Sequence, residues 1–204
     1  MIEKNIHHIW PGSDPFRYPD WRLSWMKFNP DWTHYFWRPD NLPNGLLDTT
    51  IRIVKDENIS YVVKSDVLRW DIVRLMGGIY VDTDMEDFRS VEDLRKYSSF
   101  CGTFFDVPCN AVFGAEAGNE IITRAAIAAG NNVLKDPEYA CSSYDGVMTT
   151  CGGRAMREYL EKMEMVFMGN VFYVPDKKSY SVHHWTNNEP GGWTRLLRDA
   201  GKMI

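Results

Sequence analysis

Apolar positions along this chain follow two rhythms: short, nearly continuous runs, and longer stretches in which they recur every three or four residues. Residues 6–10 form a short run closed by Pro11-Gly12, which predicts a first strand ending in a loop. Residues 20–28 carry Trp21, Trp25 and Phe28 at helical spacing before Asn29-Pro30-Asp31, so a helix with these three on its buried stripe is expected. A second strand is predicted at 34–37, followed by a polar, proline-containing connection. The clearest helix is 60–76, with Val63, Val67, Trp70 and Val73, or Leu68, Ile72 and Leu75, at its apolar positions and Gly77-Gly78 as its stop. Ile79-Tyr80-Val81 then reads as a buried strand, and Asp82-Thr83-Asp84 falls where it emerges into a loop. Strands at 100–104, 110–114, 171–174 and 181–185, separated by helices at 119–134 and 153–165, complete an α/β alternation that implies a mixed sheet. With no internal repeat or linker, residues 1–204 read as a single domain.

Composition narrows what such a domain does. A chain of 204 residues, 44% of them apolar, buries roughly 70% of its unfolded surface without a metal or disulfide staple, so a bound metal would serve chemistry. The formal charge of -5, with scattered Lys and Arg, argues against nucleic acid or an anionic membrane as partner. The opening MIEKNIHHIW lacks a signal peptide's pattern, and no apolar stretch approaches about 18 residues, so a soluble, cytoplasmic protein without a transmembrane segment is expected, in a bacterium or a virus-infected host cell. Cys101, Cys109, Cys141 and Cys151 lack the spacing of zinc ligands and read as buried free thiols.

Candidate chemistry begins at Asp82 and Asp84. Side chains at i and i+2 leave an extended backbone on the same side, so both carboxylates can face one cation. Hard oxygen ligands suit Mg²⁺ or Mn²⁺, which neutralise a diphosphate as a sugar departs from it. In the preceding helix Asp66 and Arg69 share a face at i,i+3, consistent with a surface ion pair or with a charged pair pointing into a cleft. Adjacent His7 and His8 point to opposite strand faces and suit packing or solvent exposure better than joint ligation, and Glu86 and Asp87 extend the acidic loop, where a solvated turn explains them as readily as a role in catalysis.

The run SDVLRWDIVRLMGGIYVDTDME resembles the helix, double glycine, strand and DxD block of glycosyltransferase family 32. The opening IHHIWPG, the later DWTHYFW, Asn110-Ala111 and the closing Ser181-Val182-His183-His184-Trp185 are similar to further segments of that family. The resemblance implies a GT-A (Rossmann-like) α/β fold with a mixed, mostly parallel central sheet flanked by helices. It also implies Mn²⁺ or Mg²⁺ as cofactor and a retaining transfer of a hexose from a nucleoside diphosphate sugar to a hydroxyl of a glycan, lipid or protein. A UDP-sugar such as UDP-glucose or UDP-galactose is favoured over a GDP-sugar. The sugar-transferring domains of large clostridial toxins look like distant relatives.

By resemblance, Asp84 is the direct metal ligand and Asp82 contacts donor and metal-bound water. Asp66 and Arg69 match donor-sugar contacts, and these four are the candidate catalytic residues. Trp10 matches an aromatic residue stacked on the nucleobase, with Ile9 in the same pocket; Tyr80, Asn110 and Trp185 are the other candidate substrate contacts. A third metal ligand is expected at His183, with His184 as the alternative, because strand alternation aims only one of them at the site. Two other readings stay open: a metal-dependent phosphotransferase or phosphatase with an aspartyl nucleophile, and a non-catalytic sugar-nucleotide-binding module.

Overall fold

Strands buried on both faces need no polar alternation, and the apolar runs of this chain form such strands. In the computed structural model, which describes residues 1–12, 15–104, 107–161 and 179–184, the order is β1 (Asn5–Ile9), α1 (Pro19–Phe28), β2 (Thr33–Trp37), α2 (Asp48–Lys55), α3 (Tyr61–Met76), β3 (Gly78–Val81), β4 (Met85–Asp87), a short 3-10 helix (Glu92–Lys96), β5 (Ser99–Phe104), β6 (Val107–Ala115), α4 (Glu120–Lys135), α5 (Pro137–Ser142), α6 (Tyr144–Thr150), α7 (Arg157–Leu160) and β7 (Ser181–His183). Five strands form one sheet in the order β2-β1-β3-β6-β5. β1 runs parallel to β2 and β3, whereas β6 is antiparallel to both β3 and β5, so β6 alone runs against its neighbours. β4 and β7 pair separately, antiparallel, with Met85 opposite His183.

Side-chain alternation along β3 divides the core. Ile79 and Val81 join Ile6, Trp25, Phe100 and Val112 on one face, while Tyr80 joins Trp70, Phe113 and the apolar rows of α3 and α4 on the other. The first turn of α3 is closed by Ser60, whose hydroxyl accepts from the Val63 amide at 3.4 Å. Past its other end, Gly77 and Gly78 take φ of +61° and +102°. A Cβ on Gly78 would collide with the backbone of Asn5, so glycine there lets β3 enter the sheet directly beside β1. The carboxyl ends of the parallel strands β1 and β3 therefore open side by side at the base of one cleft, where open α/β sheets bind ligands.

The structure departs from the sequence expectations at identifiable places. The connection after β2 contains α2, whose buried Thr50 and Ile53 are helically spaced behind an Asp-Thr-Thr start that resembles a turn. α5 and α6 are short helices capped by Asp136 and Ser143, too brief for periodicity to reveal. The strand expected at 110–114 extends to Val107–Ala115, and the helix expected at 153–165 reduces, among the described residues, to α7. Glu86 and Asp87 lie in strand β4, not in a solvated turn, with Asp87 buried against Asn29 at 2.8 Å. Of the expected stripe on α1 only Trp25 is fully buried. Cys101 and Cys151 are buried and Cys109 and Cys141 half-buried, all four as free thiols. The strand expected at 171–174 lies outside the described residues. No helix among the described residues is long and apolar enough to cross a membrane.

Both histidines of β1 are buried, and they differ in their bonding. His7 is held in one tautomer, with Nε2 donating to the Gly77 carbonyl at 2.8 Å and Nδ1 accepting from the Trp37 indole at 3.1 Å. His8 makes no hydrogen bond of good geometry from either ring nitrogen and stands edge-on to Trp25. Burial first, then the charge of Arg22, pushes its pKa down to about 3, against only a backbone contact at Val81. A lowered histidine pKa means that the unfolded chain takes up the proton first, so stability falls as pH drops below about 6.5. His8→Leu removes that dependence. Between pH 6.5 and 5 the wild-type chain is expected to lose about 2 kcal/mol relative to this variant in denaturant titrations, while equal losses in both would show that His8 titrates normally.

Candidate active site

The alternation that buries Tyr80 also brings Asp82 to the same side of β3, where the Tyr80 hydroxyl donates to Asp82 Oδ1 at 2.6 Å. Asp82 still belongs to the sheet, its amide donating to the Ala111 carbonyl at 2.8 Å. A turn then follows, closed by the Met85 amide on the Asp82 carbonyl, and the Asp84 carbonyl accepts from the His184 amide at 2.9 Å. The Asp-Thr-Asp segment is thus fixed by β6 on one side and by the end of β7 on the other.

Asp66 and Arg69 meet this segment from α3. Arg69 forms ion pairs with Asp66 at 2.7 Å and with Asp82 at 3.2 Å, donates to the Asn110 carbonyl at 3.0 Å and lies 4.6 Å over the Tyr80 ring. The Asn110 side-chain amide donates to Asp66 at 3.3 Å. Both members of the ion pair are buried, so the surface reading of the pair is excluded, and both line the cleft. Burial raises the Asp66 pKa to about 6 with help from the Asp82 charge, against Arg69 and Asn110. Asp82 feels burial most strongly too, yet Arg69, His183 and Tyr80 together outweigh it and hold its carboxyl below the ordinary range. Burial and Asp82 also push the Tyr80 phenol well above its ordinary pKa, against Arg69, so it remains a hydrogen-bond donor.

β7 brings in the histidines. The Nε2 of His183 lies 3.4 Å from both Asp82 Oδ2 and Asp84 Oδ1, whereas His184 turns to Glu86 at 3.2 Å and stacks on Trp21 with ring centroids 4.0 Å apart. Asp82, Asp84 and His183 offer ligand atoms that all lie within 4.8 Å of one another. Opposite ligands of a Mg²⁺-sized ion sit about 4.2 Å apart, so small side-chain rotations bring this set around one cation. Asp66, Asp82 and Asp84 all line the cleft, and the Arg69 guanidinium pairs with the first two of them. The donor set therefore fits a hard metal ion, with His183 and not His184 in position.

These groups line a cleft of about 740 Å³, within the usual size of ligand pockets. Ile9, Trp10, Asp66, Arg69, Tyr80, Asp82, Asp84, Asn110 and His183 all reach it. Trp10 makes T-shaped contacts with Phe16 and Tyr18, with ring centroids 5.4 and 6.2 Å apart. Trp185 lies outside the described residues. The sequence reading missed Arg17 and Tyr18, which extend the wall beyond Trp10, and Tyr61 and Tyr144, which also line the cleft. The aromatic run through Phe16, Tyr18 and Trp21 was a usable signal for the first wall; Tyr18 stacks on Trp21 at 4.8 Å.

Comparison with known proteins agrees with this geometry. Residues 15–101 match the profile of the glycosyltransferase sugar-binding region containing DXD motif, and that span includes Asp66, Arg69 and Asp82-Thr83-Asp84. The initiation-specific alpha-1,6-mannosyltransferase of Candida albicans is 31% identical over a segment covering 44% of this chain, and this chain spans about a quarter (26%) of that relative. Among solved structures, a PaToxG glycosyltransferase superposes with a TM-score of 0.59 at 16% identity, covering 79% of this chain and 68% of that one. A glycosyltransferase involved in the glycosylation of the major capsid of PBCV-1 gives 0.53 at 6% identity, covering 98% of each chain. These likenesses establish the GT-A fold, with the mixed, mostly parallel sheet flanked by helices that was expected.

Proposed function

We propose that this chain is a glycosyltransferase, of the family 32 type, that moves a hexose from a nucleoside diphosphate sugar to an acceptor hydroxyl with retention of anomeric configuration. The observation that carries the reading is the convergence of Asp82, Asp84 and His183 with the Asp66–Arg69 pair in one cleft, beyond the carboxyl ends of β1 and β3. In this reading Mn²⁺ or Mg²⁺ is held by Asp82, Asp84 and His183, and when bound it neutralises the diphosphate leaving group.

The chain's own residues do the rest. Trp10 and Ile9 flank the nucleobase, and Tyr18 extends the same wall. Asp66, pinned by Arg69 and Asn110, accepts hydrogen bonds from donor-sugar hydroxyls, and Arg69 donates toward sugar and phosphate oxygens. As the bond from the anomeric carbon to phosphate oxygen breaks, the acceptor oxygen bonds that carbon from the same face. Its proton passes to the departing phosphate oxygen, and the guanidinium stabilises the charge that develops. UDP-sugars are the favoured donors, with GDP-sugars as competitors.

The test is a screen of UDP- and GDP-linked hexoses with Mn²⁺ and without acceptor, reading slow release of nucleotide. Hydrolysis of one UDP-hexose, abolished by a chelator, is the expected result. Tight nucleotide binding without turnover of any donor would overturn it in favour of a binding module.

A further inference from the structure

The donor, as placed above, leaves one arm of the cleft unassigned. This arm runs between the start of α3 and the start of α6 and is walled by Ser60, Tyr61, Val62, Cys141, Ser143 and Tyr144. None of these side chains is charged, in contrast to the carboxylates and guanidinium of the floor. The two walls are joined where the Ser60 amide donates to the Cys141 thiol sulfur at 3.3 Å.

Two aromatic rings stand on this arm with much of their surface open. Tyr61 is 51% exposed and Tyr144 is 62% exposed, an unusual degree for rings that line a pocket. Tyr61 lies beside the loop after β1, since a Cβ added at Gly12 would be in ordinary contact with its ring at 3.6 Å. α6, which Tyr144 opens, runs to the floor on which the donor sugar would rest: a Cβ added at Gly152 just past its end would meet both Met148 of α6 and the Asp66 carboxylate. Exposed tyrosine faces with hydroxyl tips match the apolar C–H face and hydroxyl rim of a pyranose. The Lys64 ammonium lies 5.8 Å from the Tyr61 ring centroid, while the six wall side chains are themselves uncharged.

We propose that the arm between Tyr61 and Tyr144 is an acceptor subsite for a neutral pyranose, which makes the acceptor a carbohydrate; this rests on the sugar-transfer reading above. The ring of Tyr144 supplies the stacking surface, in the same cleft as the donor-sugar contacts Asp66 and Arg69.

The experiment uses neutral mannose, glucose and galactose trisaccharides as probes. Saturation-transfer NMR of each, with UDP and Mn²⁺ present, reads binding whether or not a donor has been found. One trisaccharide is expected to bind the wild-type chain, and its signal to fall at least tenfold in Tyr144→Ala and in Tyr61→Ala, while Tyr144→Phe stays within threefold of wild type. Where a donor is known, the ratio of transfer to donor hydrolysis is expected to fall at least tenfold in Tyr144→Ala. Absence of binding by all three sugars, or equal binding by wild type and Tyr144→Ala, overturns the subsite. A Tyr144→Ala chain that loses hydrolysis as much as transfer also overturns it, by placing Tyr144 in the donor site. Failure of every donor in the wild type, with trisaccharide binding intact, counts against the sugar-transfer reading and leaves the subsite standing.

Discussion

Asp84→Asn is expected to lower metal-dependent donor turnover by about 1,000-fold, more than losing a supporting contact to a metal ligand and comparable to losing a key transition-state contact. Asp82 divides its charge with Arg69 and Tyr80, so it cannot turn wholly toward a cation. Asp84 is 5% exposed and faces His183, and asparagine in its place keeps the shape while removing the ionic ligand. The fold should survive, because the link to β7 runs through the Asp84 backbone carbonyl, which the substitution leaves in place. Calorimetric titration of Mn²⁺ in the presence of UDP should show the affinity lost in parallel with turnover. The comparison is Glu86→Gln two residues on: Glu86 bonds His184 outside the group and should change turnover by less than tenfold. Undiminished, still metal-dependent turnover in Asp84→Asn would remove this segment from the chemistry.

What the sequence disclosed about this site depended on how local each determinant is. The α3 periodicity, the double glycine and β3 lie in one continuous stretch, and their consequence, an Asp-Thr-Asp segment at a strand's carboxyl end, could be read directly. The Asp66–Arg69 pairing was legible from its i,i+3 spacing, but its contact with Asp82 arises only when α3 packs on the sheet. Alternation already required that only one of His183 and His184 face the carboxylates. Which one does so is set by the register that places Met85 opposite His183, and β4 is a strand of three residues, two of them acidic, that no propensity would identify. Trp21 failed as a core prediction for the same reason. Helical spacing marks it as apolar, but its partner, the His184 ring, arrives from the far end of the described chain. Tyr61 and Tyr144 carried no local signal, since the wall they share forms only once the start of α3 meets Cys141 of α5.

Arg69→Met is expected to cost about 3–5 kcal/mol of stability as well as turnover, because removing one partner of a buried ion pair strands the other. Arg69 is 6% exposed and serves two carboxylates, the Asn110 carbonyl and the Tyr80 ring. Without it, burial and the Asp82 charge both push the Asp66 pKa above its value of about 6, and Asp82 loses the strongest influence holding its own pKa down. For a chain of this length the loss corresponds to a fall in melting temperature of roughly 6–20 °C. The double variant Asp66→Leu/Arg69→Met separates structure from chemistry. With both of these charges replaced by apolar groups, stability should recover in part, since a buried pair contributes little net stability over a hydrophobic substitute, the remaining loss coming from Asp82, which keeps its charge without Arg69. Turnover should not return, because the groups that would orient the donor sugar are gone. A double variant that recovers both would reduce the pair to scaffolding and shift the weight of the reaction onto Asp82, Asp84 and His183 alone.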